Sequence, residues 1–178
     1  MRIVGGIYKG RQFNPGKIFR SRPTTDLAKE SLFNILQNQV DFEKIKVLDL
    51  FAGTGSISFE FASRGCKDIT SIELDFHHYC FIKEVTVKLG EKNIKTIKTN
   101  AFSYIAKTEQ KFDLIFADPP YDHKQFAEVP QRVLKGNILL PGGTFILEHS
   151  GDYNFSDYPE FKEERHYGAV HFSFFRIH

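Results

Sequence analysis

Tryptophan is absent from the 178 residues, methionine occurs once and cysteine twice. Cys66 and Cys80 have neither a C-x-x-C spacing nor a partner pattern for zinc. That excludes a disulfide framework and a zinc knot, and it fits a reduced compartment. There is no run of eighteen apolar residues, so no membrane-spanning helix is expected, and the opening MRIVGGIYKG lacks the apolar core of a signal peptide. A cytoplasmic location follows as an expectation. The seven histidines include no H-x-x-x-H or H-E-x-x-H pair, so no metal is expected either. Repeats and low-complexity tracts are also missing, and no apolar patch calls for a second copy, which predicts a monomer.

Acid is missing from one part of the chain only. Residues 1–25 carry Arg2, Lys9, Arg11, Lys17, Arg20 and Arg22 with no Asp or Glu, whereas the remainder has 18 bases against 22 acids. A basic arm on a mildly acidic body suggests a polyanionic partner at one face, nucleic acid first among the candidates. The length suits one domain, residues 1–178, with 1–25 as an extension of it.

In that arm, Arg2 to Val4 and Ile7 to Phe13 read as two extended pieces joined at Gly5-Gly6, a predicted hairpin. Thr24 or Thr25 can cap a helix whose apolar face is Leu27, Ala28, Leu32, Ile35 and Leu36, with Phe33 beside it, ending near Gln39. From Lys46 strand and helix alternate. Strands are predicted at Val47–Phe51, Ile69–Leu74, Ile94–Lys98, Phe112–Ala117 and Thr144–His149. Helices are predicted at Ser56–Ser63, Phe76–Leu89, Phe102–Ala106 and Gln125–Leu134, Pro130 breaking the last or marking its first turn. The fold class is therefore α/β: a doubly wound, Rossmann-like sheet, mostly parallel. Phe161–Tyr167 and Val170–Ile177, parted near Gly168, are expected to close it as an antiparallel hairpin.

In such a sheet ligands sit beyond the carboxyl ends of the strands. The first such turn is LDLFAGTGSIS. Gly53 and Gly55 let backbone amides approach a ligand, and the helix N-terminus after them favours negative charge. A dinucleotide fingerprint needs a third glycine or alanine where Ser58 stands. The acid Asp49 followed by F-x-G-x-G instead resembles the S-adenosyl-L-methionine-dependent methyltransferases, in which the loop wraps the methionine part and the carboxylate helps to hold the amino end. Phe51, Ala52 and Thr54 belong to the same loop. Glu73, at the end of the second strand and followed by Leu74, is placed to accept hydrogen bonds from ribose hydroxyls. After the third strand, Asn100 suits a helix cap, and Ala101 and Phe102 are candidates for the adenine edge.

The fourth strand ends in Asp118, Pro119, Pro120 and Tyr121. Proline cannot donate to a sheet ladder, so the strand stops there and leaves a stiff corner. An exocyclic amine on a nucleobase is a poor nucleophile because its lone pair is delocalised into the ring. Asp118 can accept one of its N–H bonds and the Pro119 carbonyl the other, while Tyr121 offers a ring on which an unstacked base can lie. No metal is needed for this grip.

RIVGGIYKGR, SRPTTDLAKESLFNIL, LDLFAGTGSIS, Glu73 and DPPYD occur in the order that resembles the RsmD-type bacterial methyltransferases. That family modifies the exocyclic N2 of a guanine in small-subunit (16S) ribosomal RNA. The resemblance weakens after Gly151, and Tyr121 stands where the family often has phenylalanine. It implies S-adenosyl-L-methionine as cofactor, small-subunit RNA or a 30S assembly particle as partner, and an Arg22–Thr25 turn over the cleft, with Thr24 in the cofactor set. It also implies Arg2, Arg11 and Arg20 on RNA phosphates, with Arg22 beside them. Two alternatives share many of these residues: a DNA adenine-N6 methyltransferase, since D-P-P-Y is common to several amino methyltransferases, and a non-catalytic RNA-binding assembly factor. Intact Asp118, Pro119 and Tyr121 speak against the latter.

Overall fold

The computed structural model describes residues 1–16 and 24–177, so Arg20 and Arg22 lie outside the described residues. Seven strands form one sheet: β1 (Lys46–Leu50), β2 (Asp68–Glu73), β3 (Ile94–Lys98), β4 (Phe112–Ala117), β5 (Leu139–His149), β6 (Phe161–Tyr167) and β7 (Val170–Arg176). Their order is β3-β2-β1-β4-β5-β7-β6. The first five run parallel, and β7 pairs antiparallel with both β5 and β6. From β1 the successive strands are laid down outward on one side and from β4 on the other, which makes the β1–β4 boundary the topological switch point. Pro141, Gly142 and Gly143 fall in a register shift inside β5, where the pairing steps from Phe112–Leu139 to Leu114–Thr144.

Helices α1 (Asp26–Leu36), α2 (Ser56–Ser63) and α3 (Phe76–Leu89) cover one face, and α4 (Ala101–Lys107) and α5 (Val129–Lys135) the other. Pro130 lies in the first turn of α5, behind a short 3-10 turn at Phe126–Glu128 that interrupts the single helix expected from Gln125. The two apolar layers are rich in phenylalanine: Phe33, Phe59, Phe61, Phe116 and Phe172 fill the first, Phe112, Phe126, Phe145 and Phe175 the second. Among the described residues no helix is long and apolar enough to cross a membrane, and no group of His, Cys, Asp and Glu is arranged to hold a metal ion.

Two expectations need correction. Leu27 does not join the core face of α1. It is 67% exposed, and Lys29 is buried in the same turn. Thr25 is the cap, its side chain accepting from the Ala28 N–H. The N-terminal arm does form a short antiparallel hairpin, through the Arg2–Gln12 bridge and the backbone bonds joining Met1 to Phe13 and Ile3 to Arg11, but its second limb starts near Gly10 and not at Ile7, and the loop between docks on the end of α2. Ile7 N–H donates to the Ser63 carbonyl at 2.7 Å and Tyr8 N–H to Ser63 Oγ at 2.9 Å. Gly6 has φ +72°, and a Cβ there would lie 1.9 Å from the Ser63 carbonyl oxygen, so only glycine allows this approach. Glu60, fully buried, accepts from Val4 N–H at 2.7 Å and pairs with Lys29 at 3.3 Å and with Arg64. Lys29 also donates to the Arg2 carbonyl. The arm is thus fastened to the body by a buried ionic knot.

Candidate functional site

Alternation along the strands brings the acids together. Val47, Ile69, Leu114, Phe116 and Ile146 face the layer formed by α1, α2 and α3. Asp49 pairs in register with Ser71 on β2 and Phe116 on β4, and Phe116 with Ile146 on β5. Counting on in twos puts Asp49, Glu73, Asp118 and Glu148 on that same face, at the carboxyl ends of β1, β2, β4 and β5.

The glycine loop is built on the first two of these. Asp49 is 1% exposed, and its Oδ2 accepts from Ser58 N–H at 3.1 Å and Ser58 Oγ at 2.6 Å. Ser58 Oγ also lies 2.5 Å from Ser71 Oγ. Ser58 therefore has a polar task at the position where a dinucleotide loop needs its third glycine. Burial pushes the Asp49 carboxyl up to about 7, the Ser58 hydrogen bonds opposing and Glu73 adding to the rise. Gly55 begins α2 at φ +74°, and a Cβ there would meet Ile82 and Phe59 side-chain atoms at 3.0 Å. The Glu73 carboxylate accepts from Gly53 N–H at Oε2, 2.6 Å, and from Asp75 N–H at Oε1, 2.7 Å; His78 Nδ1 lies 3.8 Å from Oε1, and Oε2 keeps a second lone pair.

Around this cradle stand the other predicted cofactor residues. Leu74 is 61% exposed beyond β2, and Ala52 is buried, its N–H bonded to the Ile72 carbonyl. Thr54 is half-buried in the loop between the two glycines. Asn100 caps α4 by accepting from Ser103 N–H, with Ala101 buried behind it. Phe51, itself at φ +60°, meets Phe102 edge-on at 5.9 Å, and His123 lies 6.0 and 5.6 Å from the two rings. Three rings thus join the loops after β1, β3 and β4. Nothing in the sequence signals His123 for this place.

At the end of β4, Asp118 continues the ladder with its N–H toward the Leu50 carbonyl at 3.4 Å. Its side chain is partly exposed, and among the described residues neither a hydrogen bond nor an ion pair engages the carboxylate. Desolvation, then the charges of Glu148 and Asp49, hold its carboxyl well above the ordinary range. Pro119 is buried and Pro120 exposed, the Pro120 carbonyl closing a turn to His123 N–H at 2.9 Å. Tyr121 is 43% exposed and set edge-on to Phe126 at 6.2 Å, and Phe126 stacks on Tyr153 at 4.3 Å. Glu148, which sequence reasoning passed over, is 3% exposed, and burial pushes it up to about 7. Thr24 Oγ1 donates to its Oε2 at 2.7 Å, which brings Thr24 to the carboxyl end of β5. The only signal for Glu148 was a lone acid at the carboxyl end of the apolar strand TFILEH.

The basic residues are more scattered. Arg2 pairs with Asp26 at 2.7 Å, and Arg11 is exposed.

The protein family described as "Conserved hypothetical protein 95" matches residues 1–176. Ribosomal RNA small subunit methyltransferase D of Escherichia coli is 33% identical over 152 residues, 84% of this chain and 74% of that protein. Among solved structures, HI0767 of Haemophilus influenzae superposes with a TM-score of 0.79 at 27% identity, covering 98% of this chain and 97% of the other. The Thermus thermophilus 16S rRNA N2 G1207 methyltransferase, solved with AdoMet and guanosine, superposes with a TM-score of 0.70 at 22% identity, covering 89% of this chain and 45% of that one. At that identity the likeness concerns the fold.

Proposed function

We propose, from the premise that this chain belongs to the ribosomal RNA small subunit methyltransferase D family, that it transfers a methyl group from S-adenosyl-L-methionine to the exocyclic N2 amine of a guanine in small-subunit ribosomal RNA. The observation that carries the reading is Asp118: a carboxylate at the switch point, bonded to none of the described residues, beside a proline carbonyl on a rigid corner.

The residues present suit a cationic cofactor. Four carboxylates share one face at the strand ends, and the loop at Gly55 has a conformation and a crowding that exclude a side chain. The loop Phe51–Gly55 would hold the methionine part over Asp49, Glu73 the ribose hydroxyls, and Leu74, Ala101 and Phe102 the adenine. When bound, S-adenosyl-L-methionine supplies a methyl group made electrophilic by its sulfonium.

The chain's own work is on the amine. Asp118 and the Pro119 carbonyl each accept one N–H, which leaves the nitrogen lone pair pointing out of the hydrogen-bonded plane. Most of the acceleration then comes from position and orientation. Asp118 takes the proton as the amine becomes acidic, a role suited to a carboxyl whose affinity for protons is raised. Tyr121 supplies the face for the unstacked base, worth roughly 1 to 3 kcal/mol.

The test is to incubate the protein with labelled S-adenosyl-L-methionine and small-subunit RNA, or 30S assembly particles, from cells lacking the enzyme, and to map the modified base. Label at guanine N2 supports the reading. Asp118→Ala should bind cofactor nearly unchanged and transfer nothing, and full turnover by that variant would overturn the role given to Asp118.

A further inference from the structure

The corner at the ends of β4 and β5 has more acceptors than an amine requires. Ala117 and Leu147 are register partners on adjacent parallel strands, so the next residues, Asp118 and Glu148, stand side by side about 4.8 Å apart on one face. Glu148 is buried, and Thr24 Oγ1 occupies its Oε2. Among the described residues nothing bonds to its Oε1, nor to the Asp118 carboxylate. Pro119 adds a carbonyl and, being proline, no N–H. When both acids are ionised the corner thus offers a row of acceptors, two carboxylates and a carbonyl, and no donor.

Nucleobase edges differ in what they present to such a row. Guanine has the two N–H bonds of its amine and, next to them, a ring N1–H: donors throughout. Adenine and cytosine carry a ring acceptor beside their amine. Resting on the proposed function, we infer that Glu148 is a specificity-determining residue that accepts the ring N1–H of the target guanine while Asp118 and Pro119 hold its amine. Thr24, donating to the other oxygen, fixes the carboxylate in place. A base with an acceptor at ring N1 would set two acceptors face to face in a desolvated site and be rejected.

The test uses the full chain and small-subunit RNA in which the methylated guanine is replaced by 2-aminopurine, which keeps the exocyclic amine but has an unprotonated ring N1. At pH 8, kcat/KM of the unaltered enzyme should favour guanine by roughly 10- to 100-fold. In Glu148→Gln the amide can turn its N–H to the ring nitrogen, and the preference should collapse toward unity. Glu148→Asp keeps an acceptor, and should keep the preference at a lower rate. Equal use of the two bases by the unaltered enzyme overturns the inference with no variant needed, as does a preference that Glu148→Gln leaves intact. Either result with guanine still methylated leaves the proposed function standing. Failure to methylate guanine at all overturns both.

Discussion

Gly53 donates its backbone N–H to Glu73 Oε2 across 2.6 Å, so the loop after β1 is fastened to the end of β2 by the carboxylate proposed to meet the ribose. One side chain thus shapes the cradle, and in the proposed function it also meets the ligand. Glu73→Ala removes both functions at once. Cofactor affinity, measured by calorimetry, should fall at least tenfold, about 1.4 kcal/mol, with methyl transfer at saturating cofactor less affected.

Gly55 tests the same cradle sterically. Its φ of +74° is strained for any L side chain, and a methyl group would press on Ile82 and Phe59 at 3.0 Å. Gly55→Ala should cost about 1 to 3 kcal/mol of stability by overpacking, read from urea unfolding, and lower cofactor affinity as α2 is displaced.

How much of this was visible in the sequence depended on whether the determining forces were local. LDLFAGTG and FDLIFADPPY each state a strand and its end within a dozen residues, so the strands, the glycine loop and the proline-stiffened corner could be read directly. Residue pairs that meet only on folding could not. Thr24 and Glu148 are 124 positions apart and Lys29 and Glu60 are 31 apart, and each alone reads as an ordinary polar residue. Leu27 fitted the helical period of α1 but lies on its exposed side. The predicted hairpin forms, but its second limb starts later than expected for the same reason: the loop from Val4 to Tyr8 is shaped by Ser63 and Glu60 of α2.

The ionic knot beneath the arm yields a stability prediction. Lys29→Met would leave Glu60 buried with one cation fewer, and breaking a buried pair from one side typically costs about 3 to 5 kcal/mol. The variant should also lose the Lys29 bond to the Arg2 carbonyl. Limited proteolysis should then cut within residues 1–16 faster than in the unaltered protein, and equal protection would show that the knot does not hold the arm.

Asp49 and Glu148 make stability depend on pH in a direction opposite to most surface carboxylates. Burial raises them from ordinary values of 3.8 and 4.5 to about 7. Between roughly pH 4 and 7 the folded form therefore binds more protons than the unfolded chain, and these two groups lower the unfolding free energy as pH rises through that window. Their contribution is fully present below the unfolded values and lost above about 7. The ligand-free protein should melt lower at pH 8 than at pH 5. Asp49→Asn should flatten that slope, and S-adenosyl-L-methionine, bringing positive charge to the acids, should raise the melting temperature more at pH 8.

The basic arm predicts unequal roles for its described arginines. Each phosphate neutralised on single-stranded RNA contributes about 0.7 to the slope of log affinity against log salt. Arg11 is exposed, whereas Arg2 is held at 2.7 Å by Asp26, which competes with any phosphate for the guanidinium. Arg11→Ala should reduce the slope for small-subunit RNA by close to one such increment, and Arg2→Ala by clearly less. Freeing Arg2 by Asp26→Asn should strengthen RNA binding at low salt and steepen the slope. If Asp26→Asn leaves the slope unaltered, then Arg2 serves the fold of the arm and does not bind RNA.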